Sequence, residues 1–309
     1  MCYDIARFVF NTLSEPLANA VSGIPPLPAP AGVPQQGFSP PLFPPFVAFR
    51  SLLSFLSRLP LGAQTLEGIA PSVWALPLAG GVLAILLGGL GFLIFTFLPL
   101  FAGVPVFLLT YFALKGSLHM DGLSDVADAL ASQGTVERRQ RILKDPHTGM
   151  AGILAILLFL VVVIFSLAGL SYGSHPVGAL LPATWMGHSL DWAIFFALIV
   201  AELNATTAMV FVMGVGCPSP ISQLARPLVE KTRLGSMMFG LVVAWGISLF
   251  LGGLLVVCVA ASGLFGIYIA RTANRALGGV NGDVLGAAHE VVFAACLLIA
   301  VLLPWTPIL

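Results

Sequence analysis

Long apolar runs separated by short polar segments dominate the pattern of this 309-residue chain. The apolar runs cover residues 74–97, 100–114, 150–171, 192–214, 236–270 and 287–305. Most of them are close to the ~20 apolar residues with which a helix crosses a bilayer. The pattern therefore predicts an all-α integral membrane protein.

The basic residues predict how often the chain crosses the membrane, because Lys and Arg concentrate in cytoplasmic segments. They lie before the first span and in segments 115–149, 216–235 and 271–286. Each apolar region between two basic segments must then cross an even number of times, so residues 150–214 hold two spans. Residues 74–114 and 236–270 each form a tight hairpin. The second hairpin is expected to turn at Gly252-Gly253. With the final run, this gives about seven crossings, from an inside N-terminus to an outside C-terminus.

Composition supports this class and excludes others. The chain is 58% hydrophobic and 8% charged, with a formal net charge of zero, and its mean hydropathy is +1.02. The lipid bilayer is therefore an expected partner, and a nucleic acid is not. The four cysteines are far apart, without CxxC pairing, which favours apolar packing over a zinc site or a disulfide framework.

The N-terminus has a different composition. Nine prolines fall within residues 22–45, and proline is incompatible with a helix interior or a central strand. Asp4 precedes the first apolar residues and no basic segment leads them, unlike in a signal peptide. We therefore divide the chain into a proline-rich, disordered tail, residues 1–49, and a polytopic membrane domain, residues 50–309.

Three aspartates interrupt the apolar pattern in LHMDGLSDVADAL, residues 118–130. On a helix, Asp121, Asp125 and Asp128 share one face, where like charges repel. Carboxylate oxygens suit Mg²⁺ or Mn²⁺, so a divalent metal is the expected counter-charge. The alternative is a solvated acidic face at the membrane surface. That alternative is less favoured because the face has no interleaved Lys or Arg, and Gly122 would weaken a surface helix.

A basic motif follows in RRQRILKDPHTGMAG, residues 138–152. Its Arg and Lys side chains can bind phosphate oxygens, although simple positive-inside anchoring would also explain them. Asp145 adds a fourth carboxylate, and His147 is either a surface residue or a phosphate ligand. Gly149 and Gly152 permit close backbone approach at the start of the next span.

A third motif lies at LGGVNGDVLGAAHE, residues 277–290. Its glycine-rich backbone can approach a phosphate, and Asp283 can supply another metal ligand. The alternative is a turn that starts the last helix with Asp283 as its N-cap. Elsewhere, Glu202 lies within a span, which suggests either a functional carboxylate or a hydrogen bond to Asn204 or another helix.

Taken together, HMDGLSDVADAL, RILKDPHTGMAG and GGVNGDVLGAAHE closely resemble the three signature stretches of the cobalamin-5′-phosphate synthase (adenosylcobinamide-GDP ribazoletransferase) family. SFLSRLPLG, residues 54–62, resembles the stretch before that family's first span, and order and spacing match over roughly residues 50–305. Two positions depart from the family pattern. Ala129 stands where Gly is usual, and Asn281 where Thr is usual.

The resemblance implies a Mg²⁺-dependent transferase of the bacterial cytoplasmic (inner) membrane, with Mn²⁺ as an alternative metal. Its substrates would be adenosylcobinamide-GDP and α-ribazole or α-ribazole 5′-phosphate, and GMP would leave. A homo-oligomer is compatible with this class. The acidic and glycine-rich motifs would face the cytoplasm.

The candidate site residues follow from the motifs and the resemblance together. The metal candidates are Asp121, Asp125, Asp128, Asp145 and Asp283. The catalytic candidates are Asp128, Asp283 and Lys144, with one of the two aspartates as general base. The substrate-binding candidates are Arg58, Arg138, Arg141, His147, Gly279 and Gly282.

Two other classes of membrane protein would show different residue patterns. A CDP-alcohol phosphotransferase would carry Asp-Gly-x-x-Ala-Arg, but Ser124 and Asp125 occupy the Ala-Arg positions. A cation- or proton-coupled transporter would place its carboxylates at mid-membrane on broken helices, and only Glu202 meets that requirement.

Overall fold

The computed structural model describes residues 44–61, 69–172, 189–222 and 225–303. The predicted proline-rich segment falls almost entirely within residues 1–43, outside the described residues. The first described helix begins at Pro44, inside the segment assigned to the tail. Descriptions below concern the compact unit that follows, residues 45–309.

The described chain is helical and contains no β-strand, as predicted. The helices are α1 Pro44–Leu56, α2 Leu76–Phe97, α3 Leu100–Lys115, α4 Leu118–Ala131, α5 Val136–Ile142, α6 Met150–Tyr172, α7 Ser189–Val215, α8 Arg226–Lys231, α9 Leu234–Gly252, α10 Val257–Thr272 and α11 Gly282–Leu302. A 3₁₀ turn, Ala70–Ala75, leads into α2, another, Gly253–Val256, joins α9 to α10, and a π-helical turn, Ala273–Leu277, extends α10.

The predicted number of crossings agrees with the helices. Within the described ranges, six helices (α2, α6, α7, α9, α10 and α11) are long and apolar enough to cross a membrane singly. Helices α3 and α4 meet at a 93° bend, and as a pair they have the geometry of a broken span or a re-entrant loop; counted as one span, they bring the number to seven. The protein is therefore a multi-pass membrane protein, and its acidic segment α4 follows the bend.

Both predicted hairpins are present. Leu98 is extended and Pro99 precedes α3, and Gly103 packs against the ring of Phe95, so α3 folds back on α2. At the second hairpin, α9 ends at Gly252 and Gly253 has a φ of 50°. Because side chains other than glycine rarely adopt positive φ, this residue permits the turn.

One predicted boundary was wrong. The last span was expected at residue 287, but α11 begins at Gly282. The side chain of Asn281 accepts a hydrogen bond from Val284 N–H at 3.0 Å and caps the helix. The first turn of the helix is polar, so hydropathy alone placed the start of the helix too late. The position of the capping residue decides where the helix starts. Asp283, which was the alternative cap, instead lies within the first turn.

Helix α7 forms the centre of the bundle. Buried residues make up 94% of the apolar stretch of α7, against 22% of that of α9. Helix α2 packs closely on α7 because its glycines have no side chain and leave room for side chains of α7. Gly80 lies against Thr206, and Gly91 lies against Leu198. Small residues permit this kind of close backbone approach between membrane helices.

We expect Gly80→Ala to lower stability, because the new methyl group would overlap the buried side chain of Thr206. Overpacking of this kind typically costs about 1–3 kcal/mol. Gly89→Ala, in the same helix, is the matched control, since nothing lies within 4 Å of its added methyl group. Thermal unfolding of both variants in detergent measures the difference. Equal midpoints would contradict the packing described for α2 and α7.

We also expect α9 and α10 to cross the membrane separately. A reporter fused after Arg233 should report a cytoplasmic location, because Arg226, Lys231 and Arg233 anchor that segment inside. A reporter fused after Gly253 should report the opposite side. If both fusions report the same side, α9 and α10 do not form a transmembrane hairpin.

Candidate active site

The three sequence motifs meet at one end of the bundle. In the first contact, the carboxylate of Asp128 on α4 reaches the backbone at Gly149 and Gly152, where α6 begins. A second contact joins α4 to the start of α11. The third is a 3.0 Å hydrogen bond that Gln140 on α5 donates to the Leu277 carbonyl. Segments more than 130 residues apart in sequence therefore build one site.

Two glycines set the crossing of α4 and α11. A methyl group at Gly122 would lie 2.6 Å from the carbonyl oxygen of Asp283, and one at Gly286 would lie 2.9 Å from Cα of His119. Neither position has room for a side chain, because the nearest neighbours are backbone atoms. Gly122, which appeared unfavourable for a surface helix, is the residue that permits the two backbones to touch.

Asp128 caps the adjacent span. Its Oδ2 accepts a hydrogen bond from Gly149 N–H at 2.7 Å, and its Oδ1 accepts one from Gly152 N–H at 2.8 Å. These donors belong to the first turn of α6, which has no partners of its own for them. The predicted close approach at Gly149 and Gly152 is confirmed. The sequence did not predict this capping role, because the contact spans 21 and 24 residues.

Three other carboxylates gather beside this cap. Asp125 interacts electrostatically with Asp121, Asp283 and Asp128. Within the described residues, no Lys or Arg forms an ion pair with Asp121, Asp125 or Asp283. Asn281 donates a 2.6 Å hydrogen bond to Asp283 Oδ2 and holds that carboxylate in place.

This donor set is chemically suited to a hard divalent cation. Like charges that approach without a basic partner are unfavourable, and oxygen ligands are those that Mg²⁺ prefers. Asp121 is exposed and Asp125 is half-buried. Gly282 has open space around it, since nothing would lie within 4 Å of an added methyl group. The site is therefore accessible at Asp121 and beside Gly282.

The remaining metal candidate is not part of this group. Asp145 lies exposed in the loop before α6, where its Oδ1 accepts hydrogen bonds from the backbone N–H of His147 at 3.0 Å and from its Nδ1 at 2.7 Å. These hydrogen bonds hold the pKa of the Asp145 carboxyl below its ordinary value. Lys144 is an exposed neighbour in the same loop.

The predicted substrate-binding residues lie on different elements of the fold. Arg138 and Arg141 are exposed on α5, and within the described ranges neither forms an ion pair. The side chain of Arg58 packs over Gly116, at the bend between α3 and α4. Gly279 has a φ of 140° and touches the Cys217–Ser219 backbone, so its immediate role is to let two loops pair.

A buried polar network lies deeper, where α3 ends. Lys115 forms an ion pair with Glu202 and contacts Nε2 of His289 at 2.9 Å. Tyr111 donates a 2.7 Å hydrogen bond to Glu290. Glu202 therefore pairs with other helices and not with Asn204. Lys115 is only 5% exposed, so its charge is used inside the bundle and not at the surface.

The sequence showed the polar residues of this network but did not show which of them pair. Glu202, His289 and Glu290 were all visible as polar residues near or inside spans. An intramembrane carboxylate indicates a partner, yet Lys115 is 87 residues away from Glu202. Only the folded arrangement joins them.

The opposite face of α4 is apolar. Leu123, Val126 and Leu130 line a groove of about 260 Å³ together with side chains of α10 and α11. Helix α4 therefore separates an acidic face from an apolar groove. This amphipathic arrangement fixes the rotation of the helix and directs the aspartates away from the bundle interior.

The fold and site define a class: a multi-pass α-helical membrane protein with an acidic, glycine-supported site at one end of its bundle. The chain belongs to the cobalamin-5-phosphate synthase family, whose profile matches residues 48–301. No solved structure matches it.

Three curated relatives illustrate the similarity, and each is named adenosylcobinamide-GDP ribazoletransferase. The protein of Thermococcus kodakarensis is 31% identical over 266 residues, which cover 83% of this chain and 99% of the relative. That of Halorubrum lacusprofundi is 33% identical, over 84% of this chain and 98% of its own length. That of Corynebacterium efficiens is 32% identical, over 76% and 84%.

We expect Asp128→Asn to destabilise the protein, because an amide oxygen can accept hydrogen bonds but the amide nitrogen cannot. Loss of a helix cap typically costs about 0.5–2 kcal/mol. Asp121→Asn, on the same helix face, is the control. This substitution removes a repelling charge. Within the described residues it breaks no side-chain hydrogen bond, so it should not lower stability. Thermal unfolding in detergent with chelator present separates the two. Equal destabilisation of both variants would contradict the capping role.

Proposed function

We propose that this protein is an adenosylcobinamide-GDP ribazoletransferase. It would join adenosylcobinamide-GDP to α-ribazole or its 5′-phosphate and release GMP. The observation that carries the proposal is the group of unpaired carboxylates that α4 and α11 hold together, in a chain that belongs to the cobalamin-5-phosphate synthase family. The names of the relatives agree with it.

The reaction is a phosphoryl transfer. The 3′-hydroxyl of the ribose attacks the phosphorus that carries the corrinoid aminopropanol group. A new phosphorus–oxygen bond forms, the bond within the pyrophosphate breaks, and GMP departs with its electron pair. Such reactions depend mainly on positioning the reactants and on neutralising the phosphate oxygens.

Asp121, Asp125 and Asp283 are the residues that would hold Mg²⁺, or Mn²⁺ in its place. When bound, the metal would neutralise charge on the pyrophosphate oxygens and on the departing GMP. Asp128 has both oxygens engaged with the backbone of α6, which favours a positioning role for it. Asp145 is bound to His147 instead, and its part in metal binding has no support from the geometry.

Asp283 would act either as the third metal ligand or as the general base, and it is a better candidate for the base than Asp128. Within the described residues, only one of its two carboxylate oxygens, Oδ2, receives a hydrogen bond, from Asn281, and Gly282 beside it faces open space. Its carboxylate would accept the proton of the attacking hydroxyl. Asp128 lacks this freedom because both oxygens are occupied.

The basic residues would bind the anionic parts of the substrates. Arg138, Arg141, Lys144 and His147 are exposed on α5 and the loop after it, adjacent in sequence to the acidic helix. Guanidinium groups can bind phosphate oxygens in pairs, which suits a pyrophosphate and a 5′-phosphate. Arg58, packed at the bend before α4, would extend this basic surface.

The site would face the cytoplasm of a bacterial cell, with the protein in the cytoplasmic membrane. The positive-inside distribution of Arg and Lys supports this orientation, and nucleotide substrates are made in the cytoplasm. The transporter alternative rests on Glu202 alone, and Glu202 is ion-paired with Lys115 inside the bundle.

We expect Asp125→Asn and Asp283→Asn to lower the rate of GMP release by about two to four powers of ten, because each removes a charge without changing size. Both variants should also need more Mg²⁺ for half-maximal activity. Glu230→Gln, which removes an exposed carboxylate on α8, is the matched control and should behave like the unmodified protein.

The measurement is GMP released from adenosylcobinamide-GDP by purified protein in detergent or nanodiscs, with Mg²⁺ varied. Unchanged rates and unchanged Mg²⁺ dependence in both aspartate variants would refute the site. An unmodified protein that forms no product from this substrate would refute the function.

A further inference from the structure

A second group of metal-ligating side chains lies inside the bundle, away from the acidic site. His119 on α4 and the adjacent pair His289 and Glu290 on α11 each offer one ligand atom, and these atoms lie within 4.8 Å of one another. All three side chains are buried, with exposures of 5%, 0% and 1%. The group is therefore enclosed, in contrast to the exposed carboxylate of Asp121.

His119 has an unusual position for a buried imidazole. Neither of its ring nitrogens has a hydrogen-bond partner among the described residues. Its Nδ1 lies 3.9 Å from Oε1 of Glu290, and its ring is 4.8 Å from the ring of His289. Buried polar atoms are normally hydrogen-bonded, and each exception needs an explanation.

The charges of the surrounding network leave room for a cation. Glu202 and Glu290 carry two negative charges when ionised, and Lys115 carries one positive charge. With both imidazoles neutral, one negative charge has no counter-charge among the described residues around it. Buried charges are normally paired or bound to metals.

The hydrogen bonds of His289 are compatible with a metal ligand. Its Nε2 lies 3.2 Å from Oε1 of Glu202, and its Nδ1 lies 3.3 Å from Oε1 of Glu290. When the Nε2 proton is donated to Glu202, the Nδ1 lone pair faces a carboxylate oxygen. Two acceptor atoms that face each other need either a proton or a metal ion between them. A carboxylate behind the distal nitrogen is also the usual way to orient a metal-binding histidine.

The competing arrangement uses the other tautomer. Lys115 would then donate to Nε2 of His289, and Nδ1–H would donate to Glu290. That arrangement satisfies His289 without a metal, but it leaves both nitrogens of His119 without a partner. A cation bound by all three side chains also gives one of the two His119 nitrogens a partner.

We propose that His119, His289 and Glu290 form a buried site for a borderline divalent transition-metal ion, such as Zn²⁺, separate from the carboxylate site. Two imidazoles and one carboxylate are typical ligands of Zn²⁺, whereas Mg²⁺ prefers oxygen atoms alone. The metal would join α4 to α11 just inside the Gly122 and Gly286 crossing. It would thereby hold the acidic helix in register.

The test measures bound metal on the full chain. The protein is purified without a polyhistidine tag, stripped with chelator, and loaded with Zn²⁺ in the presence of excess Mg²⁺. It is then desalted and analysed by mass spectrometry for metal. We expect about one Zn²⁺ ion retained per chain, as three protein ligands would give. Retention of no Zn²⁺ by the unmodified protein would overturn the proposal, and it would indicate that a proton fills the site.

Variants locate the ion. His119→Phe keeps the aromatic packing against Phe55 and His289 and removes both nitrogens, and Glu290→Gln keeps the size of the side chain. Each should lose at least nine-tenths of the retained Zn²⁺ while eluting as a monodisperse protein. His147→Phe, which changes an exposed histidine, is the matched control and should retain the ion.

Asp125→Asn distinguishes the two sites. It should retain Zn²⁺, because Asp125 belongs to the carboxylate group and not to the buried one. Loss of Zn²⁺ in Asp125→Asn, or full retention in both His119→Phe and Glu290→Gln, would overturn the proposal. With Co²⁺ in place of Zn²⁺, the visible absorption of the bound ion should likewise change in His119→Phe and persist in His147→Phe.

Discussion

The direct contact between the backbones of α4 and α11 is the constraint on which the site depends. Gly122 and Gly286 each face backbone atoms of the other helix, with no space for a side chain. This contact brings the acidic face of α4 beside Asp283 and brings His119 beside His289. A larger residue at either glycine would separate both groups at once, because main-chain atoms cannot move aside as side chains can.

A second constraint holds the far end of α4. Asp128 binds the first turn of α6 through two backbone hydrogen bonds. Asp121, Asp125 and Asp283 are thus held close by contacts that do not involve their own charges. The fold maintains an electrostatically unfavourable arrangement by backbone packing and capping. A protein gains from this only where a cation or an anionic ligand with its cation completes the site, which agrees with phosphoryl-transfer chemistry.

The break between α3 and α4 separates two kinds of polar chemistry. The acidic group lies at the end of the bundle, where Asp121 is exposed. The buried group lies beyond the bend, where Lys115, Glu202 and His289 contact one another. Each group relies on residues from α11. The last helix of the chain therefore supports both, although it is remote in sequence from all their other members.

The sequence by itself determined the all-α membrane class, both hairpins and the family of the chain, and it predicted about seven crossings, against six or up to seven spanning helices in the structure. These depend on local hydropathy, on the distribution of Arg and Lys, and on short motifs whose residues are close together in the sequence. It also identified the aspartates that gather at the site. It did not reveal that Asn281, and not Asp283, caps α11, because several residues in that glycine-rich turn are chemically able to do so. Only the tertiary structure decided that Asp128 caps α6, that Lys115 is buried against Glu202, and that His119 meets His289 and Glu290. Lys115 and Glu202, for example, are 87 positions apart, and such partners are chosen by how helices pack, which no local pattern specifies.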